Sequence, residues 1–79
     1  MIQQHPYRGL MILAEARPEG AELYRPAFAV AERADAEPMH SDLLDMTCET
    51  ANAAFARGRE AGEIWIDAHQ EASSTKETR

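Results

Sequence analysis

The stretch Ala51-Asn52-Ala53-Ala54-Phe55-Ala56-Arg57-Gly58-Arg59-Glu60-Ala61-Gly62-Glu63-Ile64-Trp65-Ile66-Asp67 decides the fold. Ala51, Ala54, Phe55, Gly58, Gly62, Trp65, Ile66 and His69 recur with a period of about 3.6, which marks one face of a helix. Asn52, Arg59, Glu60, Glu63 and Asp67 fall largely on the opposite side. Gly58 and Gly62 are each unfavourable by roughly 1 kcal/mol against alanine in a helix interior. With Ala54 they repeat every four residues as a smooth strip, and close packing of that strip on a sheet would offset the propensity cost. A competing pattern ends the helix at Gly62 and makes Glu63-Ile64-Trp65-Ile66-Asp67 a strand. Thr47 can cap the helix, and Glu49 suits the positive end of its dipole. The helix is thus expected over about 47–69. Residues 71–79 carry no large apolar side chain and are expected to form a disordered tail.

Before the helix, residues 39–46 are the least regular. Leu43-Leu44, between Asp42 and Asp45, suits either a short strand at about 40–45 or an early helical turn. The strand is preferred, because a two-stranded hairpin alone covers a helix poorly. Ala34-Asp35-Ala36-Glu37-Pro38 reads as a loop. From about 22 to 32, Tyr24, Phe28 and Val30 alternate with Leu23, Arg25, Ala27, Ala29 and Ala31, the period of two of a strand. Pro26 has no N–H to donate, so it belongs at an edge or a bulge. A further strand is expected over about 8–16, joined through Arg17-Pro18-Glu19-Gly20, where proline presets φ and glycine accepts a positive one. Its even positions Leu10, Ile12, Ala14 and Ala16 share the aromatic face; Met11, Leu13, Glu15 and Arg17 face the other way. Residues 1–6 are expected to be a flexible N-terminus. The expected fold is one α+β domain over 7–70: an antiparallel sheet of two or three strands, packed on one face by a C-terminal helix.

The chain has 79 residues and a formal charge of −6. Of its 35 apolar residues 15 are alanine, so only 20 larger apolar side chains are available to a core. Domains this small rarely draw more than ~3–5 kcal/mol from the core alone. Charge is unevenly placed. In residues 1–33, Arg8, Arg17, Arg25 and Arg33 cancel four glutamates, so the whole −6 lies in 34–79. The acidic balance disfavours sequence-independent binding to DNA or anionic membranes. One cysteine excludes an intrachain disulfide framework and fits a reducing compartment, the cytoplasm. No apolar run approaches a membrane span, and Met1-Ile2-Gln3-Gln4-His5-Pro6 lacks the features of a secretory signal.

The pattern Ala51-x3-Phe55-x2-Gly58-x3-Gly62-x2-Trp65-Ile66-Asp67 resembles a group of small proteobacterial proteins that pair an N-terminal β-meander with one C-terminal helix. The resemblance spans roughly residues 7–69. It implies a sheet-plus-helix fold and brings no catalytic residue with it. In outline, a three-stranded sheet crossed by a helix is also similar to integrase-type and AP2-type DNA-binding domains, a likeness of fold that does not imply function.

Candidate chemistry is sparse. His5, His40, His69 and Cys48 show no ligand spacing, and no metal or other cofactor is expected. His40-Ser41-Asp42 would alternate faces on a strand and form no proton relay. Cys48 lies near the expected helix start, where a dipole lowers a thiol pKa, yet Asp45 and Glu49 oppose this, and a small buried helix residue is the better reading. Tyr7, Tyr24, Phe28, Phe55 and Trp65 are most economically the core, with Tyr7 left open. Gly9 and Gly20 are isolated, so no phosphate-cradling loop is present.

The odd face of the hairpin remains. One helix covers one side of a sheet, which leaves Met11, Leu13, Leu23 and the alanines beside Arg25 as a half-apolar surface. A non-enzymatic protein-interaction or adaptor module is therefore expected. It would bind a protein partner, or a second copy, through Met11, Leu13, Leu23 and Arg25 or through an edge near Pro26. The alternative is nucleic-acid binding through the sheet arginines; an enzyme ranks last, and no small-molecule substrate or membrane partner is indicated.

Overall fold

Arg8 and Gly9 both take positive φ, 50° and 84°. Two such residues in succession make the turn whose twist matches paired strands, so the chain reverses in a two-residue hairpin. In the computed structural model, which describes residues 2–77, that turn joins β1 (Ile2–Tyr7) to β2 (Leu10–Pro18). They pair antiparallel from Ile2↔Glu15 to Tyr7↔Leu10. β3 (Tyr24–Ala31) pairs with β2 from Met11↔Ala31 to Pro18↔Tyr24, and β4 (His40–Leu43) pairs with β3 from Ala27↔Leu43 to Val30↔His40. The sheet is a four-stranded antiparallel meander in the order β1-β2-β3-β4.

The count corrects the expectation of two or three strands. The additional strand, β1, occupies residues read as a flexible N-terminus. Gln3, Gln4 and His5 offer no apolar alternation, and backbone pairing set by the Arg8-Gly9 turn orders them instead. The expected strands at 8–16, 22–32 and 40–45 occur as Leu10–Pro18, Tyr24–Ala31 and His40–Leu43. Gly20 takes the positive φ foreseen for the second connection, at 68°, and Glu22 also lies in this region, at 64°.

Pro26 is on an inner strand, not at an edge. Its carbonyl accepts from Leu44 N–H at 2.9 Å, so its nitrogen also points toward the neighbouring chain after β4. Regular pairing there ends at Ala27↔Leu43 and resumes only at the isolated bridge Tyr24↔Cys48. Residues 44–47 bulge out in between, and the missing N–H of Pro26 falls opposite that bulge.

α1 (Ala51–Glu77) begins later and runs further than the expected 47–69. Thr50, not Thr47, is its cap: the Thr50 hydroxyl accepts from Ala53 N–H at 3.1 Å. Cys48 is buried, as a residue of the bridge to Tyr24 and not of the helix. The strand alternative for 63–67 does not occur. The helix also continues through 71–77, where a disordered tail was expected; 78 and 79, the end of that tail, lie outside the described residues.

The core forms where the even face of the sheet meets α1. Ile12, Phe28 and Val30 pack with Ile66, and Ala14 and Ala16 with Ala54, Phe55 and Cys48. Each fully buried large aliphatic side chain contributes about 1.5–3 kcal/mol relative to exposure. The glycine strip lies against the sheet as its spacing implied. A Cβ at Gly58 would stand 2.6 Å from the Ala27 carbonyl oxygen, and one at Gly62 would stand 2.7 Å from Ile12 Cγ2. Beyond the strip, His40 stacks on Trp65 at 4.9 Å and Trp65 on His69 at 4.8 Å, both nearly parallel. No helix among the described residues is long and apolar enough to cross a membrane.

Candidate functional site: the open face of the sheet

With α1 on one side, the other side of the meander carries the alternate residues of every strand. The register brings Ile2, Gln4 and Pro6 of β1 beside Glu15, Leu13 and Met11 of β2. Those lie next to Ala27, Ala29 and Ala31 of β3, and Leu43 and Ser41 of β4 follow beside Ala27 and Ala29. The β3 residues on this face beyond Arg25 are thus all alanines, with Glu15, Leu13 and Met11 beside them on β2 and with Leu43 and Ser41 beside Ala27 and Ala29 on β4. The relief follows from side-chain length alone: a low floor along β3 with walls from β2 and β4. It forms a depression of about 480 Å³ whose lining includes Ile2, Leu13, Ala27, Ala29 and Leu43. Although they face away from the helix, Ala27 is only 5 % exposed and Ala31 fully buried. Ile2 and Leu43, at the two margins of the strip, are 57 % and 47 % exposed.

Of the four residues singled out from sequence, the structure brings two together here. Met11 and Leu13 sit half-buried on the face, two positions apart on β2. Leu23 does not join them. β3 starts at Tyr24, and Leu23 lies in the preceding connection, where its carbonyl accepts from Glu19 N–H at 2.8 Å. Arg25 is on the strand, but its guanidinium is already engaged. Nε and Nη2 donate to the two carboxylate oxygens of Glu19 at 2.5 Å each, and Nη1 donates to the Leu44 carbonyl at 3.0 Å. This fork ties the β2–β3 connection to the bulge after β4 and holds the Glu19 carboxyl below its usual range. Ile2 and Leu43 were missed as site residues. The tight Arg8-Gly9 reversal could have revealed Ile2, since it forces residues 2–7 alongside β2.

The other three arginines of residues 1–33 are engaged as well. Arg8 donates to Asp67 at 2.7 Å, Arg17 pairs with Glu15 at 3.1 Å, and Arg33 with Asp35 at 2.9 Å. Asp67 also accepts from the Tyr7 hydroxyl at 2.9 Å, and Gln70 Nε2 donates to the Arg8 carbonyl at 2.9 Å. The β1–β2 turn is in this way fastened to α1. Hydrogen bonding from Arg8, then from Tyr7, lowers the Asp67 pKa, while the bond to Asp67 raises that of Tyr7. Both groups move away from neutrality, the opposite of what proton transfer near neutral pH requires. This cluster is a latch. Comparisons of the chain with protein-family models, with curated proteins and with solved structures find no match.

Proposed function

We propose that this chain is a non-enzymatic protein-interaction module whose open sheet face receives a segment of a protein partner. The observation that carries the reading is the alanine floor of β3, walled by Leu13 on β2 and Leu43 on β4. A trough of small side chains between larger apolar ones accepts protruding side chains of a partner. Its lining joins the aliphatic Ile2, Leu13, Ala27, Ala29 and Leu43 to the polar Ser41. Exposed apolar strips with charged margins are typical of partner surfaces; Glu15, Arg17 and Asp42 supply the margin here.

Affinity purification from the native cell tests this, comparing the wild type with Leu13→Ser/Leu43→Ser and with Ala29→Gln, which fills the floor without touching the core. The expected result is a protein recovered with the wild type and lost with both variants. Unchanged recovery with both would refute the reading. Nucleic-acid binding through the arginines has less support, because Arg8, Arg17, Arg25 and Arg33 each already pair with a carboxylate.

A further inference from the structure

The strand registers set Ile2 of β1, Glu15 of β2, Ala27 of β3 and Leu43 of β4 at one level across the open face. The next level holds Gln4, Leu13, Ala29 and Ser41. A two-fold axis along the midline of the sheet, parallel to its strands, lays β1 over β4 of a second copy and β2 over its β3. Residues of one level then meet. Ile2 comes to Leu43 of the other copy, Gln4 to Ser41 and Leu13 to Ala29, and symmetry makes each contact twice. The two exposed apolar margins of the face thereby cover one another. At its centre a large side chain falls on a small one, as the interlocking of sheets about 10 Å apart requires.

Charge favours the same arrangement. The chain carries −6, so two copies repel wherever their unpaired carboxylates meet. By register, Glu15 is the one carboxylate that the described strands turn to this face, and it is paired with Arg17; Asp42 stands at the margin. Arg17 would lie near Arg25 of the other copy, but Glu15 and Glu19 already neutralise them. A strongly charged partner of either sign thus finds no unpaired charge along the middle of the face. The helices, with their own carboxylates, end up on the two outer sides. From the strand lengths, at about 4.8 Å by 3.4 Å per residue, a pair buries roughly 900 Å². That is the size of a weak, reversible contact, below the ~1,200 Å² of stable complexes.

We infer that the occupant of the open face is a second copy of this chain, seated about the sheet midline as a reversible two-fold dimer with the helices outermost. The inference rests on the interaction role proposed for this face and names its partner. Sedimentation equilibrium of the full chain from about 10 μM to about 1 mM, the span of weak affinities, should show mass rising toward the dimer and stopping there, because a face-to-face two-fold contact closes. Ala29→Gln should weaken association about tenfold or more. Ile2→Lys and Leu43→Glu, both at exposed positions, should each do the same, and Ile2→Lys/Leu43→Glu in one chain should recover most of the loss. Within a chain these positions lie three strand spacings apart, about 14 Å, too far to pair, so recovery reports contact between copies. Ile2→Lys/Leu43→Lys should not recover. Growth beyond the dimer overturns the inference, as does a dimer indifferent to Ala29→Gln or equal association of the two double variants. A monomer at every concentration overturns it too. If the native-cell purification then still recovers a different protein, lost with Leu13→Ser/Leu43→Ser, the interaction role of the face stands without the dimer; if it recovers none, both fall.

Discussion

The Tyr7 hydroxyl donates to the Asp67 carboxylate across 60 positions of chain, 2.9 Å from one oxygen and 3.2 Å from the other. Arg8 donates to the same carboxylate, so the first strand and its turn are held to the helix by one acceptor with two donors. Arg8 is the larger cause of the lowered Asp67 pKa and Tyr7 the next. Carboxyl NMR titration should therefore place Asp67 below the ordinary aspartate value of about 3.9. Arg8→Gln should raise it more than Tyr7→Phe.

The sign of the pH dependence follows. A carboxyl with a depressed folded pKa stabilises the fold above its unfolded pKa, and that contribution is lost as pH falls through the folded value. The raised Tyr7 pKa works in reverse, so its contribution is complete below the ordinary tyrosine value of about 10 and is lost above the folded value. Thermal melts of the wild type against Asp67→Asn should differ most between these limits and converge in acid. A constant difference down to pH 2 would contradict the ionised latch.

Gly58 and Gly62 invite alanine on helix propensity, which favours it by roughly 1 kcal/mol. Packing reverses the sign. At Gly58 the obstacle is the Ala27 backbone carbonyl, which moves only if β3 moves; at Gly62 it is the Ile12 side chain. Overpacking costs typically about 1–3 kcal/mol, so urea denaturation should show Gly58→Ala destabilised by about 1–2 kcal/mol net, and Gly62→Ala by less.

Thr50→Ala should cost about 1 kcal/mol through loss of the cap to Ala53 N–H. Thr47→Ala should be close to neutral in the same denaturation series, because Thr47 lies in the bulge before the helix.

Arg25→Lys should fail to replace arginine. A lysine is a point donor and cannot hold both Glu19 oxygens and the Leu44 carbonyl from one rigid fork. Hydrogen exchange at the Leu44 and Cys48 amides, which close the bulge, should accelerate in Arg25→Lys nearly as much as in Arg25→Ala.

Much of this architecture is legible residue by residue. The alternation of Leu10, Ile12, Ala14 and Ala16 with Met11, Leu13 and Glu15 separates the two faces of β2 as the burial does. The four-residue repeat of Ala54, Gly58 and Gly62 marks where the helix touches the sheet. What escaped lacks a local signal. β1 is held by backbone pairing and by Tyr7, neither of which shows in the polarity of Gln3-Gln4-His5. Leu23 seemed to face outward with Arg25 because alternation was extended two residues past the true start of β3. The engagement of Arg25 depends on Glu19 across a turn and on a bulge whose position only the register defines. On the open face, the alanines of β3 were visible in sequence, but a trough appears only once β2 and β4 stand beside them.

Every strand of the meander pairs only with its neighbour in sequence. Such hairpins close within about 1–10 μs once their residues are available. The covering helix, in contrast, follows all four strands in the chain. On the ribosome all four strands therefore emerge before their cover exists. Ile12, Phe28 and Val30 wait uncovered until α1 emerges, and the growing chain is stickier for that interval than the finished protein.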